Sequence, residues 1–255
     1  MRLIDSHCHL DLAAFDSDRD SVLQRAWGSG VTDVVVPAVQ ASAWKKLQRL
    51  SGSESLVNIH AAYGLHPVFE QQHKLTDLSL LETQLKNQNS IAVGECGLDF
   101  FIDGHDQQKQ LAYLTGQLDL AVQFKLPVII HSRKSLDLVL KELRLRPGLT
   151  GVIHSYSGSL QQAKQLIDLG FYLGFGGPIT YPRARRLRSL VVELPLESLL
   201  LETDAPDQPD ISHHKARNEP GWLPHIACCF AELRGSSVES VAEITTGNCQ
   251  RLFSL

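Results

Sequence analysis

The chain has 255 residues, 43% of them hydrophobic and 20% charged, with a formal net charge of −4. That is the composition of a soluble globular protein of one or two domains, and its acidic balance excludes a general nucleic-acid coat while allowing an enzyme that meets nucleic acid locally. No apolar run approaches the ~18 residues of a membrane span, no basic segment followed by an apolar stretch opens the chain as a secretory signal would, and five scattered cysteines without a CxxC pair suit a reducing cytoplasm.

A short apolar run, Arg2–Ile4, opens the chain and leads into Asp5-Ser6-His7-Cys8-His9. Ser17 can cap a helix carrying Val22, Leu23 and Ala26, which Gly30 stops before the run Asp33–Ala38. The next run, Ile59–Gly64, is followed by His66 and Pro67. Thr76 can cap a helix carrying Leu80, Leu81 and Leu85, with Asp77 and Glu82 early in it. Ile91–Gly94 precedes Glu95, and Gln107–Phe124 sets Leu111, Leu114, Leu118 and Val122 on one helical stripe. Pro127–Ile130 precedes His131, and Gly151–Ile153 precedes His154. Helical patterns cover Ser135–Leu143, Leu160–Leu169 and Arg183–Val192; between the last two lies the run Tyr172–Phe175. The last run, Ser198–Leu201, leads into Glu202 and Asp204.

Eight short apolar runs alternating with amphipathic stretches imply βαβ units and a parallel sheet. Eight such units fit an α/β fold, a (β/α)8 TIM barrel, as a single domain over residues 1–255. An open doubly wound sheet is the alternative, but no GxGxxG follows the first run, so a dinucleotide site lacks support.

Position is the informative feature. His7, His9, His66, Glu95, His131, His154 and Asp204 each follow the C-terminal end of a run, and in a barrel those ends meet at the face where active sites are built. Alternate strand residues share a face, so His7 and His9 point the same way and Cys8 points away from them. Imidazole suits borderline divalent ions and carboxylate suits harder ones. The set His7, His9, Glu95, His131, His154 and Asp204 exceeds a four-ligand structural zinc site and matches two divalent ions (Zn, Mn, Mg or similar). Glu95 is the expected bridge, since its strand lies between the two histidine pairs.

The same segments carry a family resemblance. DSHCHLD, GLHP, VGECGLD, IIHSR, VIHSYSG, LLLETDAP, RNEPGWLPHI and TTGNCQRLF, in that order from residue 3 to about residue 253, resemble the successive motifs of the TatD-related metal-dependent hydrolases. These are DNase-like members of the amidohydrolase superfamily. The resemblance implies a TIM barrel with one ion held by His7, His9 and Asp204, a second by His131 and His154, and Glu95 between them. It also implies 3′→5′ exonuclease or DNase activity, and a loop over the site ordered by Asn218-Glu219-Pro220. Where relatives often carry an aliphatic residue or Thr, this chain has Cys96, which should face away from the site.

The expected chemistry is attack of activated water on a phosphodiester. Asp204 is the candidate general base. Glu202 shares its face and can orient a ligand or bind substrate. His66, at the rim, can contact phosphate or protonate the leaving group, and Arg133 can grip a phosphate or pair with Asp99. Arg183, Arg185, Arg186 and Arg188 form a basic patch after the seventh run, where Tyr181 and Tyr156 can stack on bases of a single DNA or RNA strand. His213, His214 and His225 are expected to be loop or helix residues without metal. A small-molecule amidohydrolase or lactonase is the alternative activity, a non-enzymatic metal-dependent scaffold the third, and a cytoplasmic monomer or weak oligomer the expected state.

Overall fold

The computed structural model describes residues 1–87 and 90–255. Among the described residues, eight strands alternate with helices: β1 (Leu3–Asp5), α1 (Arg19–Gly28), β2 (Val31–Pro37), α2 (Trp44–Ser51), β3 (Asn58–Ala62), α3 (Thr76–Asn87), β4 (Val93–Asp99), α4 (Gln107–Phe124), β5 (Val128–Arg133), α5 (Leu136–Arg144), β6 (Gly151–Ile153), α6 (Leu160–Asp168), β7 (Phe171–Phe175), α7 (Arg185–Glu193), β8 (Leu199–Leu201), α8 (Leu223–Arg234) and α9 (Val238–Phe253). None of the described helices is long and apolar enough to cross a membrane.

Contacts divide the chain into two compact units. The first comprises residues 1–36, 50–60 and 173–255, and the second residues 37–49 and 61–172. In the first, β7 pairs with β8 in parallel and β1 pairs with β2 in parallel. The amide of Ser6 donates to the carbonyl of Leu201, and that of Asp204 to His7, so β8 also runs beside β1. The last strand thus neighbours the first. A (β/α)8 fold requires this pairing, whereas a doubly wound sheet leaves its last strand at an edge. In the second unit β4, β5 and β6 pair in parallel in that order.

The buried runs are near-continuous, as strands covered on both faces must be: Val34, Val35 and Val36 in β2 and Val128, Ile129 and Ile130 in β5 are inaccessible to solvent. Two strands outrun their apolar segments. β4 extends to Asp99 and β5 to Arg133, so Glu95 and His131 sit inside strands rather than after them. Hydrogen bonds from helix side chains make this possible. Gln110 of α4 accepts from the amide of Asp99 and donates to its carbonyl, and Ser135 donates to the carbonyl of Leu98. Gln117 does for Leu65 what Gln110 does for Asp99. The inward face of α4 therefore carries Gln110 and Gln117 beside Leu114 and Leu118, while Val122 is exposed.

Helix starts also differ from expectation where a side chain has a stronger partner. Asp18, not Ser17, precedes α1 and makes no capping bond; its carboxylate takes both ends of the Arg217 guanidinium at 2.7 Å. Thr76 lies within α3. Ser135 spends its hydroxyl on Leu98 instead of capping α5.

Asp33, buried in β2, gathers Arg2 at 2.9 Å, His60 at 2.9 Å, Asn58 at 3.0 Å and Thr32 at 2.6 Å. Burial alone would raise its pKa, but the bonds from His60, Thr32, Arg2 and Asn58 outweigh that and hold the carboxyl well below its ordinary value of 3.8. A folded-state pKa below the unfolded one stabilises the fold above pH 3.8 and loses that contribution as the pH falls. Asp33→Asn is expected to lower the unfolding free energy by about 1–3 kcal/mol at neutral pH. Denaturant titrations across pH should show the gap to wild type narrowing in acid.

Candidate metal centre

In the first unit, the His7 and His9 rings stand edge to face with Nε2 atoms 3.2 Å apart. The Asp204 carboxylate oxygen Oδ1 lies 3.6 Å from His7 Nε2 and 3.7 Å from His9 Nε2. Two ligands at 2.0–2.1 Å from a tetrahedral ion stand about 3.3 Å apart, so this spacing fits nitrogens directed at one ion. Cys8 points away, with its thiol buried against the Ala205 carbonyl.

What sets this geometry is a buried carboxyl that sequence reasoning passed over. Asp5 Oδ1 accepts the amides of His7 and Thr203, and its Oδ2 accepts the Thr203 hydroxyl at 2.5 Å. One side chain thus locks the end of β1 to the end of β8. Burial pushes the Asp5 carboxyl up to about 7, against the pull of its bonds from Thr203 and His7. Asp204 has a left-handed backbone, φ 57°, a conformation uncommon outside glycine but tolerated by Asp. Its Oδ2 accepts from Gln208, and Asn218 ties the following loop by donating to the carbonyls of Thr203 and Asp207. Glu202 is buried, and its carboxylate packs directly over Gly174, where a Cβ would displace it.

In the second unit three imidazoles converge on one carboxylate oxygen. Glu95 Oε1 lies 3.0 Å from His66 Nε2, 3.2 Å from His131 Nδ1 and 3.2 Å from His154 Nε2. Glu95 has no exposed surface. His66 is therefore not a rim residue: it is buried, its Nδ1 accepts the amide of Val68, and Nε2 is left facing Glu95. The Pro67 turn orients it, and His73 holds its carbonyl at 2.9 Å. His131 Nε2 meets Asp99 at 3.0 Å. Burial of the His131 ring opposes its charged form, but Asp99 and Glu95 outweigh this and raise its pKa. Asp99 lies four residues after Glu95, on the same face of β4; that period-2 spacing was the available signal for its role.

Other expected contacts fall elsewhere. Arg133 does not pair with Asp99; its guanidinium lies 3.7 Å over the Phe101 ring. Tyr156 is buried, with its hydroxyl donating to Ser159 at 2.6 Å, so its ring offers no open stacking face. Cys96 is turned toward the Ile129 carbonyl. Arg188 donates to the Ile179 carbonyl, which leaves Arg183, Arg185 and Arg186 as the exposed arginines of the patch. Arg183 lies 5.6 Å from the Tyr181 ring centre, and both line a cavity of about 450 Å³ with Gln208, His214 and Lys215.

The profile of the TatD related DNases matches residues 4–254. The chain belongs to the TatD-related DNase family. It is 40% identical to the uncharacterized metal-dependent hydrolase YjjV of Escherichia coli over 100% of this chain and 98% of that protein. Its structure superposes on the crystal structure of YjjV with a TM-score of 0.95, at 38% identity, covering 100% and 98% of the two chains. An uncharacterized metal-dependent hydrolase of Haemophilus influenzae is 37% identical over the whole of both chains. A TatD-family hydrolase structure from Entamoeba histolytica shares the fold at a TM-score of 0.84 and 22% identity, covering 99% and 98% of the chains.

This TatD-family chain is thus a metal-dependent hydrolase with an alternating α/β fold of parallel strands and buried clusters of imidazole and carboxylate. The donors are chemically suited to divalent ions, and each cluster joins at least two neutralisable nitrogens to one carboxylate. A carboxylate behind a ligating imidazole fixes its tautomer, and losing such a partner typically costs 10–100-fold in metal affinity. Asp99→Asn should therefore weaken divalent-metal binding by about that factor in chelator competition; unchanged affinity would show that His131 needs no carboxylate behind it.

Proposed function

We propose that this chain is a phosphodiesterase, a 3′→5′ exonuclease or DNase acting on single-stranded DNA or RNA ends. His7, His9 and Asp204 would hold one divalent ion, and Glu95, His131 and His154 would supply the ligands of a second, with His66 beside Glu95. Such ions supply a nucleophile from water at neutral pH and offset charge on the phosphate oxygens. Asp204, oriented by Gln208, takes the proton of the attacking water. His66 Nε2 is the candidate donor to the leaving oxygen.

The observation that carries the choice of a phosphodiester over a neutral amide or lactone is the cavity beside Tyr181. It is lined by Arg183, Lys215 and an aromatic ring, in a chain of net charge −4. Its wall includes Gln208, which binds Asp204. Cationic groups beside an aromatic face suit a phosphate and its neighbouring base. The Tyr181 hydroxyl is tied to the Pro209 carbonyl at 3.1 Å, which fixes the ring in place.

The test uses metal-stripped protein reloaded with Mg²⁺, Mn²⁺ or Zn²⁺, and end-labelled single-stranded DNA and RNA. Stepwise shortening from the 3′ end is expected, with an Arg183→Ala variant showing a raised KM for the strand. Absence of cleavage with every ion, together with turnover of amides or lactones, would overturn the reading.

A further inference from the structure

A second group of metal-ligating side chains lies in the segment after β8, apart from the strand-end residues. Asp210, buried, caps the turn Ile211–His213: its Oδ1 accepts the amides of Ser212 at 2.8 Å and His213 at 3.3 Å. Those bonds fix the carboxylate and leave Oδ2 to two imidazoles. His213 Nδ1 lies 2.8 Å from it and His225 Nδ1 3.5 Å. The His213 ring is clamped between Trp222, at 3.7 Å and nearly parallel, and His225, at 5.0 Å. The three donor atoms all lie within 4.8 Å of one another.

A carboxylate and two histidines form a donor set for first-row transition ions. We propose that Asp210, His213 and His225 form a further binding site for a divalent transition-metal ion such as Zn²⁺, contrary to the sequence expectation for these histidines. Asp210 and His213 are the preset arm, one fixed by backbone amides and the other by Trp222. His225 is the movable arm: it sits in the first turn of α8, its side chain is 53% exposed, and a turn of its ring brings Nδ1 into the plane an ion needs. The exposed side leaves room for water or an external ligand to complete the coordination.

An ion there would tie the turn after β8 to α8. That turn also supports the cavity wall, because the Tyr181 hydroxyl donates to the carbonyl of Asp210 at 3.3 Å. The site would therefore stabilise the loop carrying Gln208 and Pro209 independently of the reaction.

The experiment is equilibrium dialysis of the metal-stripped full chain against graded Zn²⁺, with bound zinc counted per chain for wild type and His225→Ala. The two proteins share every strand-end residue, so the difference between them isolates this site, and an exposed helix position is a safe place for alanine. Wild type is expected to take up one zinc per chain more than the variant, and zinc to raise the thermal midpoint of wild type further than that of the variant. Equal zinc uptake by the two proteins across the titration would overturn the proposal.

Discussion

Glu95 is a carboxylate without exposed surface, and three imidazole nitrogens stand 3.0–3.2 Å from one of its oxygens. An isolated charge in that position would be expensive. The second unit is organised to avoid that cost. His66 follows β3, His131 lies within β5 and His154 follows β6, and each must arrive in register. Gln110 and Gln117, buried on α4, bond both backbone groups of Asp99 and Leu65, which holds the end of the Glu95 strand and the segment before His66 in place. Polar residues on the inner face of a helix would ordinarily weaken a core; here they fix the frame around the carboxylate. Asp99 extends the same logic outward by orienting His131 from behind.

The first unit solves the same problem with one side chain. Asp5 joins the amides of His7 and Thr203 and the Thr203 hydroxyl, so the first and last strands are set together. Its pKa near 7 reflects how little solvent reaches it. The left-handed turn at Asp204 then swings that carboxylate back toward His7 and His9, and Asn218 holds the loop beyond. The polar residues that bind nothing catalytic directly are the ones that make the donor geometry rigid.

Much of this was legible because strand geometry is simple. A period of two puts His7 and His9 on one face, and the alternation of runs and amphipathic stretches marks eight units. The boundaries were less legible, since apolar runs end where polar residues begin, while β4 and β5 continue through Glu95 and His131 by borrowing bonds from α4 and Ser135. Long-range choices were invisible. Asp18 prefers Arg217 to capping a helix, Arg133 prefers the Phe101 ring to Asp99, and Tyr156 turns inward to Ser159. Each depends on a neighbour distant in sequence or on packing that local spacing does not encode. The Asp210, His213 and His225 group belongs here too: nothing in His213-His214 announces a shared carboxylate oxygen.

Crystals grown with Mn²⁺ and measured for anomalous scattering would show whether these imidazoles and carboxylates are ligands of divalent ions. Anomalous peaks are expected within about 2.0–2.6 Å of Glu95 and the His131 and His154 nitrogens, and of His7, His9 and Asp204. Crystals with Mn²⁺ scattering elsewhere on the surface and none at these residues would contradict that ligand role.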